Sequence, residues 1–217
     1  MTDLRTVPDD PGEVCGLIAG FLEDWCGTVV VADGEREEEV AAAERRLGFS
    51  LPVALRWVFV HVAGVGQDPL VPPARLAVDG HGVLTYREEN QGCARWGIRP
   101  GRPDPAVVWT DGRQWRPYLD RISVDLLAWC LSEAMTRSGA HVLWCPFEEQ
   151  PASLTRLGIP DHVFWAEPGA APVRWFRAGD CLVRNDGDIQ LIALGKTKED
   201  VRRTSAEIRG EWRELDD

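Results

Sequence analysis

Gly195-Lys196-Thr197 has the ending of a phosphate-binding loop, so chemistry is sought there first. Such a loop needs glycine five positions earlier, so that backbone N–H groups can wrap the phosphates. That position is Gln190, and Ile189 to Leu194 is an apolar run suited to a strand. Thr197 reads instead as the cap of a following helix, with Asp200 three residues on. The histidines His61, His81, His141 and His162 lack the H-x-x-x-H or H-E-x-x-H spacing that sets two imidazoles on one helix face for zinc. The cysteines Cys15, Cys26, Cys93, Cys130, Cys145 and Cys181 form no C-x-x-C pair, and most sit in apolar segments. They read as small buried hydrophobes rather than a disulfide framework. There is no G-x-S-x-G elbow for a serine nucleophile. Glu88 and Glu89 are adjacent, and on a strand they point to opposite faces, so they make no acid/base pair. Glu148-Glu149 follows Pro146-Phe147 and reads as a loop. These patterns point to no catalytic residue, no metal site and no cofactor.

Charge narrows the partners. The chain carries a net charge of −11. Residues 1–44 hold twelve acids and two bases, and the remainder is nearly neutral. An acidic field repels phosphate backbones, which argues against nucleic acid, and it attracts basic proteins. The ten tryptophans are dispersed about one per element, which fits packing better than an aromatic cage or a base-stacking platform. No apolar run approaches the roughly 18 residues of a membrane span. The start of the chain lacks a basic segment followed by an apolar core, so no secretory signal is read and a cytoplasmic protein is expected.

The elements that position these residues come next. Asp10-Pro11 opens a helix with Val14, Leu17, Ile18, Phe21, Leu22 and Trp25 at helical spacing. Thr28 to Ala32 is a short apolar run, a strand or an extended linker, before a turn at Asp33-Gly34. Glu35 to Leu47 reads as a second helix, with acids at its start and Arg45 and Arg46 at its end, as the helix dipole favours. Leu51-Pro52 opens a third helix, closed by Gly64, and a glycine- and proline-rich loop follows to Pro73. Short strands are expected at 74–78 and 82–86 around Asp79-Gly80.

The stretch Tyr86–Trp115 joins the two halves. Its polar run Arg87-Glu88-Glu89-Asn90-Gln91 stands where a buried strand is normally apolar. Ala94, Trp96 and Ile98 alternate with polar or small residues as one strand, and 106–110 is another. A two-residue turn at Asp111-Gly112 would set Val108 opposite Trp115. Ser123 reads as the cap of a helix with Leu127, Cys130, Leu131 and Ala134 inward, ending near Ser138-Gly139. A short helix at 151–157, strands at 162–167, 173–177, 180–184 and 189–194, and the helix after Thr197 complete the chain. The class is α+β: a mainly antiparallel curved sheet with helices packed to one side.

Glu44-Arg45-Arg46-Leu47-Gly48-Phe49-Ser50-Leu51-Pro52, with the helix to Val62 and then Gly64, resembles the opening signature of the SUKH superfamily. Glu89-Asn90-Gln91-Gly92 with Trp96-Gly97-Ile98 is similar to that family's central strand. Asp104-Pro105-Ala106-Val107 followed by Trp115 resembles its next hairpin, and Ser123–Met135 its next helix. The resemblance is best over 35–137 and implies a single SUKH-like domain over 1–217. A helix at 11–25 and C-terminal strands and helix at 160–212 are additional to it. It further implies a non-enzymatic interaction fold. Bacterial members are immunity proteins that neutralise a toxin, and fungal members regulate cell-wall synthesis.

Two functions are therefore expected. In the first, the chain is a protein-binding domain, an immunity protein against a basic toxin domain. The residues singled out are Asp33, Glu35, Glu37, Glu38 and Glu39 at the acidic helix, and Glu88, Glu89 and Gln91 in the polar run. For this run the alternative is a strand whose polar groups serve neighbouring loops. In the second, the chain binds or hydrolyses a small molecule in a pocket at the open face of the sheet. Arg95, Arg99, Arg102, Asp104, Asp111 and Arg113 would then lie near the pocket. A scaffold subunit of a larger assembly differs from the first mainly in its partner.

Overall fold

Among the described residues, five α-helices and two antiparallel sheets make the chain α+β. The structure, a computed structural model, describes residues 2–62, 70–137, 139–149, 151–167 and 169–214. The loop expected over 64–73, with the helix end at Gly64, falls mainly outside these residues, as does Ser138. By contact the chain divides into two compact units, Met1–Thr2 with Pro8–Glu133, and Asp3–Val7 with Ala134–Asp217.

The first unit opens with α1 (Pro11–Cys26), α2 (Gly34–Leu47) and α3 (Val53–His61). Asp10 caps α1, its carboxylate accepting from the amides of Gly12 and Glu13, which have no partner inside the helix. Val14, Cys15, Ile18, Phe21 and Leu22 are buried, the stripe its spacing predicts. Helix α3 packs against both α1 and α2. A single 3-10 turn at Pro73–Arg75 replaces the strand expected at 74–78, and only Val78 pairs there, opposite Leu84. Pro73 stands at the first position of this turn, where its fixed φ suits a helical start and its missing N–H costs nothing.

Four strands follow in the order β1-β2-β3-β4: β1 (Leu84–Glu88), β2 (Arg95–Ile98), β3 (Val107–Thr110) and β4 (Arg116–Leu119). The β3–β4 connection spans five residues, not two, so Val108 pairs with Pro117 and Trp109 with Arg116. Trp115 lies in the connection, where its indole N–H donates to the Asp79 carboxylate at 2.9 Å. Helix α4 (Ile122–Thr136) is buried along its whole first ten residues rather than on one stripe. Ser123 is inside the helix and does not cap it. Its amide and hydroxyl donate to Asp104, at 2.9 and 2.6 Å.

Gly97 sits mid-strand where there is no room for a side chain. A Cβ there would lie 2.4 Å from Val83 Cγ1 and 3.0 Å from the Leu84 carbonyl oxygen. Gly97→Ala is expected to destabilise this unit by about 1–3 kcal/mol through overpacking. Urea unfolding would measure it, and a midpoint equal to that of the parent would contradict the close approach.

The second unit is a six-stranded antiparallel sheet ordered β10-β5-β9-β8-β7-β6. Its strands are β5 (His141–Pro146), β6 (Thr155–Arg156), β7 (Arg174–Ala178), β8 (Cys181–Asp186), β9 (Gln190–Gly195) and β10 (Arg213–Glu214). Helix α5 (Lys198–Glu207) packs on β5, β8 and β9. Cys145, Phe176, Ala178, Val183, Leu191, Ala193 and Ile208 form a core cluster on this sheet. The helix expected at 151–157 is instead a turn leading into β6. Of the strand expected at 162–167, only a single bridge from His162 to Val173 forms.

Candidate functional site

The acidic helix presents its charge outward for identifiable reasons. Asp33 caps α2, its carboxylate accepting from the Glu35 and Arg36 amides at 3.0 and 3.4 Å. Only Val40 and Ala43 of this helix are buried. Its far end is held by Arg46, which donates to the carbonyls of Leu76 and Pro73 at 2.8 Å each. Arg56 of α3 pairs with Glu37 at 3.2 Å and with Glu44 at 3.7 Å. Glu37 is thereby turned toward α3. Glu35, Glu38 and Glu39 are exposed and make no ion pair among the described residues. At 100° per residue Glu38 lies opposite the Val40 and Ala43 stripe, while Glu35 and Glu39 flank that outer face, Glu39 one turn before Ala43.

The polar run divides into different roles. Glu88 is part-exposed and faces Arg75 at 3.9 Å. Glu89 is buried, and its carboxylate accepts from the amides of Gln91 and Cys93 at 2.9 and 3.1 Å. It organises the β1–β2 turn through Oε2 and is buried there. Gln91 is exposed at the turn tip. No hydrogen bond or ion pair among the described residues joins this turn directly to Asp33–Glu39. The eight singled-out residues thus divide between the first half of α2 and the β1–β2 turn, with Glu89 alone buried among them.

A buried polar cluster lies beneath this run and carries no motif. The Tyr86 hydroxyl donates to one oxygen of Asp125, and Arg87 Nη2 donates to the other at 3.0 Å. All three residues are buried. The Arg87 guanidinium also lies 3.9 Å above the Trp96 ring, which stands edge-on to Tyr118. Burial, and then the Asp125 charge, push the Tyr86 phenol well above its ordinary range. Burial likewise raises Tyr118. Protonated phenols around one carboxylate make a packed internal network, not an activated nucleophile.

Two neighbouring side chains of one strand reach the same carboxylate because the β1–β2 register shifts between Thr85 and Arg87. Such a bulge breaks the alternation that would send Tyr86 and Arg87 to opposite faces. A polar residue within an apolar run was the only signal available in the sequence, and the bulge that explains it was not legible there.

The residues expected near a small-molecule pocket are spent on turns or exposed. Asp104 holds the start of α4 through Ser123. Asp111 accepts from the Arg113 amide at 3.1 Å and faces Arg116 at 3.8 Å. Arg95, Arg99, Arg102 and Arg113 are exposed. The six cysteines are free. Burial pushes Cys15 and Cys145 up to about 11 and raises Cys130 and Cys181, which suppresses thiolate chemistry at all four. Among the described residues no three His, Cys, Asp or Glu side chains converge to hold a metal ion. Thr197 and Asp200 satisfy one another in a reciprocal capping box at the start of α5, in place of a phosphate. The second unit has a half-open cleft of about 280 Å³, whose lining includes His141, Lys198, Arg202 and Glu214. No helix of the described residues is long and apolar enough to cross a membrane. No family model, curated protein or solved structure matches this chain.

Proposed function

We propose that this chain is a non-enzymatic protein-binding domain of SUKH type, an immunity protein that binds and neutralises a basic bacterial toxin domain. The observation that carries the reading is the group Glu35, Glu38 and Glu39 on and beside the outer face of α2, exposed and without ion-pair partners among the described residues. An unpaired acidic surface costs little in water and steers a basic partner into encounter. The resemblance over 35–137, which includes this helix, supports the same role.

The test is to mix the purified chain with the toxin domain encoded beside it and to co-express the two. A stable complex that protects the producing cell is expected. Failure to bind any of a panel of basic toxin domains would sink the reading. A second reading, a small-molecule or hydrolytic site, is favoured by the basic lining of the cleft at His141, Lys198 and Arg202. Its volume is near the lower end of ligand pockets, which run from about 300 Å³ upward. A chain that ignores basic proteins but gains thermal stability from inorganic phosphate would favour that alternative.

A further inference from the structure

The segment between α1 and α2 is a stretch of extended backbone without a hydrogen-bonding partner among the described residues. Helix α1 ends at Gly27 in the left-handed conformation, and the chain then runs to Asp33 without turn or bend. Its ends are fixed. The Thr28 amide donates to the Leu22 carbonyl at 3.2 Å, and the Asp33 amide to the Val60 carbonyl at 3.3 Å. Between them, no backbone group of Val29, Val30, Val31 or Ala32 is hydrogen-bonded among the described residues. Val29 and Val31 are 75% and 66% exposed, the two most exposed of the large hydrophobics. They are two apart, the spacing that puts side chains on one face of a strand, while Val30 between them is partly covered.

The molecule protects its other edges. The outer side of β1 is covered by Leu70, Val71 and Val78, with the Val71 amide donating to the Tyr86 carbonyl at 2.8 Å. β4 carries Pro117. The second sheet ends on two-residue strands, β10 and β6. Short strands and prolines are ways of blunting an edge against pairing. Residues 29–32 have neither device. Their composition is that of a strand, and exposed β-branched side chains are costly unless something covers them.

We infer that Val29–Ala32 is a docking edge to which a protein partner adds an extended strand alternating apolar and basic residues. Main-chain hydrogen bonds would fill the open donors and acceptors, and apolar side chains of the partner would cover Val29 and Val31. The basic requirement comes from the flanks. Glu23 and Asp24 precede the segment, and Asp33, Glu35, Glu38 and Glu39 follow it. The inference rests on the protein-binding reading above and adds the mode and chemistry of recognition.

The test uses the full chain and the peptide acetyl-Lys-Val-Lys-Val-Lys-Val-Lys-amide, with a Glu-for-Lys version as control. Amide hydrogen exchange at residues 29–32 is the readout. The basic peptide is expected to slow it by about tenfold or more, and the acidic peptide to leave it unchanged. Successive residues of a strand direct their N–H groups to opposite edges, so Val30→Pro and Val31→Pro each remove a donor from one edge. At least one of the two should abolish the protection, and the segment's exposure lets both variants fold. If the peptide perturbs only α2, or if both proline variants bind a basic toxin domain as the parent does, the docking edge is overturned while the protein-binding reading stands. Protection that grows with chain concentration in the absence of peptide would make the occupant a second copy and overturn the hetero-partner. Failure with every basic peptide and every basic domain would remove both readings.

Discussion

Asp125→Ala is expected to lower the stability of the first unit by about 3–5 kcal/mol, the usual result of leaving a buried charge without its counter-charge. Asp125 is almost fully buried and accepts from two groups that no water can serve, the Tyr86 hydroxyl and Arg87 Nη2. Removing the carboxylate leaves the guanidinium of Arg87 in a low-dielectric interior with no counter-charge there, only the Trp96 face and the Tyr118 hydroxyl beside it. It also strands a buried phenol, which adds the desolvation cost of an unmade hydrogen bond. The double variant Arg87→Met/Asp125→Leu should lose far less than Asp125→Ala alone, because an apolar pair avoids the desolvation that the ion pair must overcome. Urea unfolding of the parent, Arg87→Met, Asp125→Leu and the double variant closes the cycle, with Asp125→Ala measured beside it. A loss under about 1 kcal/mol for Asp125→Ala would mean that the network does not hold β1 to α4.

The triple charge reversal Glu35→Lys, Glu38→Lys and Glu39→Lys should slow association with a basic toxin domain by about 10- to 100-fold at low salt. The exposure of all three residues means the reversal leaves the fold intact, since surface substitutions of this kind shift stability by about 0.5 kcal/mol or less. The effect should shrink as salt is raised, because the screening length falls to about 3 Å at 1 M. Glu37→Lys is the informative contrast. Glu37 is engaged by Arg56, so its reversal removes an intramolecular pair at an exposed position and should change the on-rate less than any of the other three. Association rates measured by stopped flow over a salt series would decide it. Equal rates for parent and triple variant at low salt would move the interface away from α2.

The helices of this protein are written in local terms, and the sequence states them well. Asp10 and Thr197 cap helices where capping chemistry puts them, while Asp33, read as a turn residue, caps α2 one residue before the expected start. The stripe from Val14 to Leu22 is buried as its period demands. The strand β2, where Trp96 and Ile98 alternate with polar or small residues, and the apolar runs that open β3 and β8 and fill β9 were legible for the same reason. A side chain's period and a cap's hydrogen bonds depend on residues no more than four apart.

The failures are as consistent. The β5 strand, His141–Pro146, pairs with both β9 and β10, and its apolar residues hold no period of their own. Asp111-Gly112 looked like a two-residue hairpin turn, but Trp115 is drawn off to Asp79, a bond across 36 residues that lengthens the connection. Glu89 looked like an offered side chain and is folded back onto its own turn. The acidic character of α2 was written in the sequence. Which of its glutamates remain open was decided by where α3 places Arg56. The sequence alone determined an α+β chain with a strongly acidic first fifth and most of its helices. Only the tertiary structure brought Tyr86, Arg87 and Asp125 together and left Val29–Ala32 without a backbone partner among the described residues. Those outcomes depend on a bulge and on long-range packing, for which no local pattern of residues is a sufficient cause.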